Sequence, residues 1–360
     1  MNRIIFGGAF DPVHNGHINM AENAKKALNG EVIFVPARIS VWKENSAPIE
    51  DKIAMLELAI KNKDGFSIEK YEIENGKDVT YSIDTVSFLK EEYPNDKLFL
   101  LIGTDQVNEF YRWKEAERIS KLVKIVYFSR PGYQINQEMV KRFNMQQISG
   151  QEIDISSTNI RKLLDFELPD EVLFYIVEHD LYEGMVELNK ILTPHRLAHS
   201  KSVAKLAYEI AVSNKLERPI RYFLAGLFHD IGKDVPIEQQ FEITKKHFPE
   251  YADLPEFAYH QFAGSILVQE MFKITDQDIV SAIRYHSTGS DDMCLMAKII
   301  YASDKIEPTR GFDSSRYISE MKKNANNGFR IVLQANKDYL ESKHKCVSNP
   351  LTYKCFNKYL

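Results

Sequence analysis

What most constrains this 360-residue chain is a change of hydrophobic period about half-way along it. RIIF (Arg3–Phe6), VIFVP (from Glu31 onward), LFLLIG (Leu98–Gly103) and VKIVYFSR (Val123–Arg130) are near-continuous apolar runs. Strands buried on both faces require such runs. Between them INMAENAKKAL, DKIAMLELAI, SIDTVSFLKEEY and VNEFYRWKEAERI carry apolar residues at helical spacing, and the alternation predicts a parallel α/β sheet. From about residue 187 the strands stop. LAHSKSVAKLAYEIAV, IRYFLAGLFHDIG, FAGSILVQEMF, TDQDIVSAIRYHS and CLMAKIIYASDKI are all apolar at helical spacing, which predicts an all-α second half. A helix over Glu171–Tyr182 is expected to close the first half. Domains of residues 1–186 and 187–360 follow, and the length suits two cores.

The formal net charge of −5 argues against a general nucleic-acid surface but leaves room for local phosphate pockets. No apolar run approaches the roughly 18 residues of a membrane span, and the opening MNRIIFGGAF reads as a strand rather than a signal peptide. Three scattered cysteines, Cys294, Cys346 and Cys355, make neither a disulfide framework nor a thiolate metal site. A cytoplasmic protein is expected.

The first informative string is Gly7-Gly8-Ala9-Phe10-Asp11-Pro12-Val13-His14-Asn15-Gly16-His17, placed between a strand and a helix. Glycines there allow a tight turn beneath a nucleotide. His14 at the turn and His17 in the first helical turn add to the free N–H groups and positive helix end that favour phosphate. A second string, Ile155-Ser156-Ser157-Thr158-Asn159-Ile160-Arg161, is a helix cap by composition. Its hydroxyls and Arg161 could equally cradle a polyphosphate.

GGAFDPVHNGH together with ISSTNIR resembles the nucleotidyltransferase superfamily with an HxGH motif. VPARISVWK, VTYSIDT and LLIGTDQVNEFYRWKEAERI narrow the resemblance to nicotinate mononucleotide adenylyltransferases over Met1–Tyr182. The runner-up is the pantetheine-phosphate branch, which usually has Thr where His14 stands. The resemblance implies a Rossmann-like sheet and transfer of AMP from ATP to nicotinate mononucleotide, with Mg²⁺ on the leaving pyrophosphate. It casts His14, His17 and Arg161 in catalysis. Gly7, Gly8, Phe10, Lys43, Gly103, Asp105, Ser156, Ser157 and Thr158 would bind ATP and its phosphates, and Thr80, Tyr81 and Trp113 the nicotinate nucleotide.

In the second half His199, His229-Asp230, His260, His286 and Asp304 form an ordered series on separate expected helices. Imidazole and carboxylate without thiolate suit Fe, Mn, Mg or Zn. Four of these residues, His199, His229, Asp230 and Asp304, would hold one metal. His260 and His286 suggest a second, with Asp230 bridging. Arg196-Leu-Ala-His199, HDIGK, YHSTG, YASDKIEPTRGFD and NPLTYKCFNKYL resemble the HD superfamily, in its symmetrical diadenosine tetraphosphate hydrolase branch. The resemblance implies an HD-domain bundle cleaving diadenosine tetraphosphate to two ADP with two divalent metals, Fe or Mn. Asp230 and Lys233 would be catalytic, and Lys233, Lys305 and Arg310 would bind polyphosphate. A general nucleotidase and a non-catalytic nucleotide-binding module are the alternatives for this half. ATP, nicotinate mononucleotide and diadenosine tetraphosphate are the expected partners, with neither nucleic acid nor membrane.

Overall fold

In the computed structural model, which describes residues 1–38, 47–77, 79–128, 134–150, 153, 155–343 and 349–360, the four apolar runs become parallel neighbours in one sheet. The chain begins β1 (Asn2–Gly8), α1 (Asn15–Leu28), β2 (Glu31–Pro36), α2 (Ile49–Ile60), β3 (Phe66–Ile68), α3 (Tyr71–Glu74) and α4 (Ser82–Glu92). It continues β4 (Lys97–Ile102), α5 (Thr104–Glu109), α6 (Ala116–Leu122), β5 (Lys124–Phe128), α7 (Gln137–Arg142), β6 (Gln146–Ile148), α8 (Ser157–Arg161) and α9 (Asp170–Glu178). Strand order is β3-β2-β1-β4-β5-β6, all parallel. Ile4 to Phe6, Val32 to Val35 and Ile125 to Phe128 are buried without alternation, as helices on both faces require. The strand order reverses between β1 and β4, and open α/β sheets bind ligands beyond the carboxyl ends of the strands at such a point.

Two expected helices are broken in the structure. Residues 107–119 divide into α5, a single 3₁₀ turn (Phe110–Arg112) and α6, with Glu115 in the left-handed region at φ 53°. Phe110 and Ile119 are nine residues apart and would face opposite sides of one helix. Both are fully buried in the same core cluster, so the break is what lets both reach it. The helix expected over Glu171–Tyr182 stops at Glu178, and Asp180 and Tyr182 take positive φ.

The second half is helical, as its spacing predicts: α10 (Tyr182–Ile191), α11 (Pro194–Ser213), α12 (Ile220–Phe228), α13 (Ile237–His247), α14 (Tyr259–Phe272) and α15 (Gln277–Tyr285). These are followed by α16 (Leu295–Ile306), α17 (Ser315–Lys323), α18 (Ala325–Ser342) and α19 (Pro350–Tyr359). The chain forms two compact units, Met1–Glu183 and Gly184–Leu360, divided within α10. Among the described residues no helix is long and apolar enough to cross a membrane.

Candidate active sites

In the first unit a cavity opens at the carboxyl ends of β1 and β4, the reversal point of the sheet. Gly7, Gly8, Phe10, His14, His17, Gly103, Asp105 and Ser157 line it, with Asp11 and Met20. The glycines do not make the turn, contrary to expectation: Gly7 and Gly8 are the last residues of β1, and the turn is made at Phe10, with φ 44°. Gly8 instead lies close under the Phe10 ring, where a Cβ would sit 3.0 Å from it, a tight contact the ring would have to shift to relieve. That ring is buried, edge-on to Phe6, Phe34 and His17. Phe10 therefore packs against His17 while lining the cavity.

His14 is the N-cap of α1 and His17 is its third residue, and the two rings stack at 3.7 Å. The His14 backbone N–H donates to His17 Nδ1 at 3.3 Å. An accepting Nδ1 leaves the neutral ring's proton on Nε2. Ser156 caps α8 by accepting from the Asn159 N–H, so the helix begins at Ser157. Arg161 joins the two motifs, donating to the Asp11 carbonyl at 2.8 Å and to Thr158 Oγ1 at 3.1 Å. Thr158 and Arg161 border the cavity's motifs without being among its lining residues.

Thr80, Tyr81 and Trp113 lie away from this lining. Thr80 accepts from Asn75 at 2.7 Å, Tyr81 caps α4 and is exposed, and Lys114 lies 4.1 Å from the Tyr81 ring centre. Trp113 packs half-buried against Phe110, with ring centres 5.0 Å apart. Lys43 lies outside the described residues.

In the second unit five elements converge. His199 comes from α11, His229 and Asp230 from the end of α12, His260 from the start of α14, His286 from the end of α15 and Asp304 from the last turns of α16. Gly232 permits the approach of the turn after α12 to α14, because a Cβ there would lie 2.3 Å from the His260 carbonyl oxygen. Each ring is oriented by its Nδ1–H. His229 donates to the Gly226 carbonyl, His260 to that of Phe257 and His286 to that of Ile283, each at 2.7 Å. His199 donates to Glu307 Oε1 at 3.0 Å. Every Nε2 is thus left as a lone pair directed inward, the arrangement of metal-binding histidines.

The inward atoms form two triads of ligand-type groups, His199–His229–Asp230 and Asp230–His260–His286, with Asp230 common to both. His199 Nε2 lies 3.0 Å from Asp304 Oδ1, and His229 Nε2 lies 3.7 Å from both Asp304 Oδ1 and Asp230 Oδ2. On the other side, His260 and His286 bring Nε2 atoms within 3.1 Å of each other, and Asp230 Oδ1 is 3.6 and 3.3 Å away. Lone pairs facing one another at this distance repel unless a cation or proton lies among them. His229 Nε2 is fully buried and has no hydrogen-bond partner. The donor set therefore fits divalent metal.

Positive charge already leans on the same carboxylates: Arg196 donates to Asp230 at 2.7 Å, and Arg310 touches Asp304 and approaches His199 Nε2 at 3.4 Å. Burial works against ionising Asp230, but His229 and His286, in their protonated forms, hold its carboxyl well below the usual range. Burial likewise opposes ionising Asp304, but the Lys305 ammonium, and His199 when protonated, pull its carboxyl well below the usual range. Burial, then neighbouring positive charge, pushes His260 well below the ordinary imidazole value, and burial lowers His286 too. Lys233 Nζ lies 3.2 Å from His260 Nδ1, and burial lowers its pKa although Asp230 opposes the shift. Lys305 donates to the His286 carbonyl at 3.1 Å.

Several residues act here that no motif singles out. Glu307 orients His199 while accepting from Ser202 and Thr309. Its signal is the spacing Asp304-x-x-Glu307, with Glu307 the residue that ends α16, against His199-x-x-Ser202 on one face of α11. Gln261 fastens the YHSTG turn through Ser287 and Thr288. In the first unit Asp11 Oδ1 accepts from Tyr182 at 2.9 Å.

Residues 5–163 match the cytidylyltransferase-like family and residues 196–309 the HD domain family. A Mycoplasma genitalium protein named "Probable nicotinate-nucleotide adenylyltransferase/Ap4A hydrolase" is 30% identical over 345 residues, covering 92% of this chain and 96% of its own. The Bacillus subtilis nicotinate-nucleotide adenylyltransferase is 36% identical over 189 residues, covering 50% of this chain and 97% of its own. A Clostridium acetobutylicum HD superfamily hydrolase described as involved in NAD metabolism superposes with a TM-score of 0.43 at 27% identity. It covers 48% of this chain and 92% of its own.

Proposed function

We infer the function from a family relation: the chain belongs to the nicotinate-nucleotide adenylyltransferase/Ap4A hydrolase family. It is a bifunctional enzyme. Residues 1–186 transfer AMP from ATP to nicotinate mononucleotide, giving deamido-NAD and pyrophosphate. Residues 187–360 hydrolyse diadenosine tetraphosphate to two ADP. The observation that carries this is the pairing, in one chain, of a crevice bordered by His14 and His17 with an imidazole–carboxylate cluster centred on Asp230.

In the first reaction a phosphate oxygen of nicotinate mononucleotide bonds to the α-phosphorus of ATP while the bond to the β-phosphate bridging oxygen breaks. The nucleophile is already anionic, so the protein need only position the groups and neutralise charge. His17 Nε2–H, His14, Arg161 and the cap of α8 do this, with Lys43 as a further cation. Mg²⁺, when bound with the nucleotide, would add charge neutralisation on the pyrophosphate. Gly103 and Asp105 border the ATP site, and Thr80, Tyr81 and Trp113 hold the pyridine nucleotide.

In the second reaction two divalent ions, Fe or Mn, would supply Lewis acidity and a nucleophilic water at neutral pH. His199, His229, Asp230 and Asp304 would hold one, and Asp230, His260 and His286 the other. Lys233, Lys305 and Arg310 bind the polyphosphate. Both reactions belong to the cytoplasm and use neither nucleic acid nor membrane. The test is product analysis with purified full chain. Deamido-NAD from ATP plus nicotinate mononucleotide, in preference to any product from phosphopantetheine, and two ADP from each diadenosine tetraphosphate are expected. Preference for phosphopantetheine, or cleavage to ATP and AMP, would overturn the corresponding half.

A further inference from the structure

Asp11, in the turn that leads to His14, is 1% exposed, and its Oδ1 accepts two hydrogen bonds. One comes from the Tyr182 hydroxyl at 2.9 Å, from a residue 171 positions away, and the other from the Ala47 amide at 3.2 Å. Oδ2 is buried and has no hydrogen-bond partner among the described residues, so these two donors stand in for the water the carboxylate has lost. Tyr182 is itself buried, with its hydroxyl 4.0 Å from Met55 Sδ on α2. Burial, then the Asp11 charge, pushes the phenol far above its ordinary pKa, so the hydroxyl keeps its proton and donates. The Tyr182 backbone sits in the left-handed region at φ 74°. For a bulky L-residue that is an outlier, which persists only where the surrounding contacts over-determine it.

We propose that Tyr182 is a positioning residue for adenylyl transfer. Through the Asp11 carboxylate it fixes the turn that places His14 and His17, and with it the carbonyl that anchors Arg161. That carbonyl accepts from Arg161 at 2.8 Å, so the side chain and main chain of one residue tie three distant segments to the motif. Phe10, just before Asp11, turns the chain at φ 44°, and His14, just after it, caps α1. A displacement of Asp11 is therefore passed to both histidines and to the arginine. Asp11 lines the cavity and Tyr182 is not among its lining residues, so the tyrosine acts through the carboxylate. The proposal rests on the adenylyltransferase reading for its reaction, though not for the strut itself.

Adenylyl transfer by the full chain is to be measured for wild type, Tyr182→Phe, Asp11→Ala and the double variant, together with amide hydrogen exchange over residues 8–17. Tyr182→Phe keeps the buried ring and removes only the donor. It should lower kcat about 10- to 100-fold, the cost of misplacing catalytic groups by up to about 1 Å, and leave KM for ATP and nicotinate mononucleotide unchanged. Exchange over residues 8–17 should rise about 5- to 30-fold, the factor for one lost hydrogen bond. The double variant should be no slower than Asp11→Ala, because both changes remove the same contact. A packing role alone would lower the melting temperature and leave the kcat of the folded chain intact. Wild-type kcat in Tyr182→Phe, a raised KM at unchanged kcat, or losses that multiply in the double variant would refute the proposal. Should Tyr182→Phe fail to fold, Asp11→Asn, which keeps an acceptor, must lose less kcat than Asp11→Ala, and equal losses refute it. If wild type makes no deamido-NAD while the exchange still rises, the reaction assignment falls and the strut stands; unchanged exchange refutes the strut.

Discussion

His199 is held between two carboxylates, Glu307 on Nδ1 and Asp304 facing Nε2. A carboxylate behind a ligating imidazole fixes its tautomer and raises its basicity. Glu307→Gln keeps size and much of the hydrogen bonding but removes the charge. It should weaken metal binding about 10- to 100-fold, read by chelator competition, with the helical signal unchanged; wild-type affinity would reduce Glu307 to a packing role. In the other unit His17 lines the crevice, and its Nδ1 accepts from the His14 amide, which places the neutral ring's proton on Nε2. His17→Ala should lower adenylyl transfer on the order of 10²–10³-fold without altering hydrolysis. Deamido-NAD formed at the normal rate would remove His17 from that site.

The helices that deliver the cluster are also tied at their far ends. Arg221 at the start of α12 makes two hydrogen bonds, at 2.6 and 2.7 Å, to Asp276, the N-cap of α15. Those helices end at His229-Asp230 and His286, and Arg221 ties them at the opposite ends through Asp276 and also through Asp278, at 2.9 Å. The hydrogen bond from Arg221 is the main reason the Asp276 carboxyl lies below its usual range, burial opposing it. A depressed folded-state pKa adds stability above the unfolded value near 4, and that stability is lost as pH falls through the folded value. Asp276→Ala removes the cap and the Arg221–Asp276 pair together, leaving Arg221 its contact with Asp278. It should destabilise by about 1–2 kcal/mol at pH 7, the size of a lost cap, with the deficit shrinking below about pH 4. Equal deficits at pH 7 and pH 3 in chemical denaturation would show that the ion pair contributes nothing.

The whole chain carries two chemistries in two compact units, and their separability is measurable. Wild type should bind two divalent ions per chain. His260→Ala should retain about one and Asp230→Ala little of either, because Asp230 belongs to both triads. Adenylyl transfer should survive both changes. A reproducible stoichiometry of one in reconstituted wild type would leave His260 and His286 as substrate contacts.

Much of this was legible in the residues. β1, β2, β4 and β5 are continuous apolar runs because strands covered on both faces have no polar side to show. β3 (Phe66–Ile68) and β6 (Gln146–Ile148) escape notice because three-residue edge strands bury little. The helical half and the residue types of the metal cluster were equally plain, since 3.6-residue spacing and imidazole–carboxylate donors are local properties. What the chain alone could not determine was decided by contacts between distant segments. Residues 107–119 read as one helix until Phe110 and Ile119 must share a core. Gly7 and Gly8 read as a turn until Phe10 takes the positive φ and fills the space beside Gly8. Glu307 is one acid among many until α11 brings His199 to it. Periodicity records how each segment meets solvent, and only packing determines which segments meet each other.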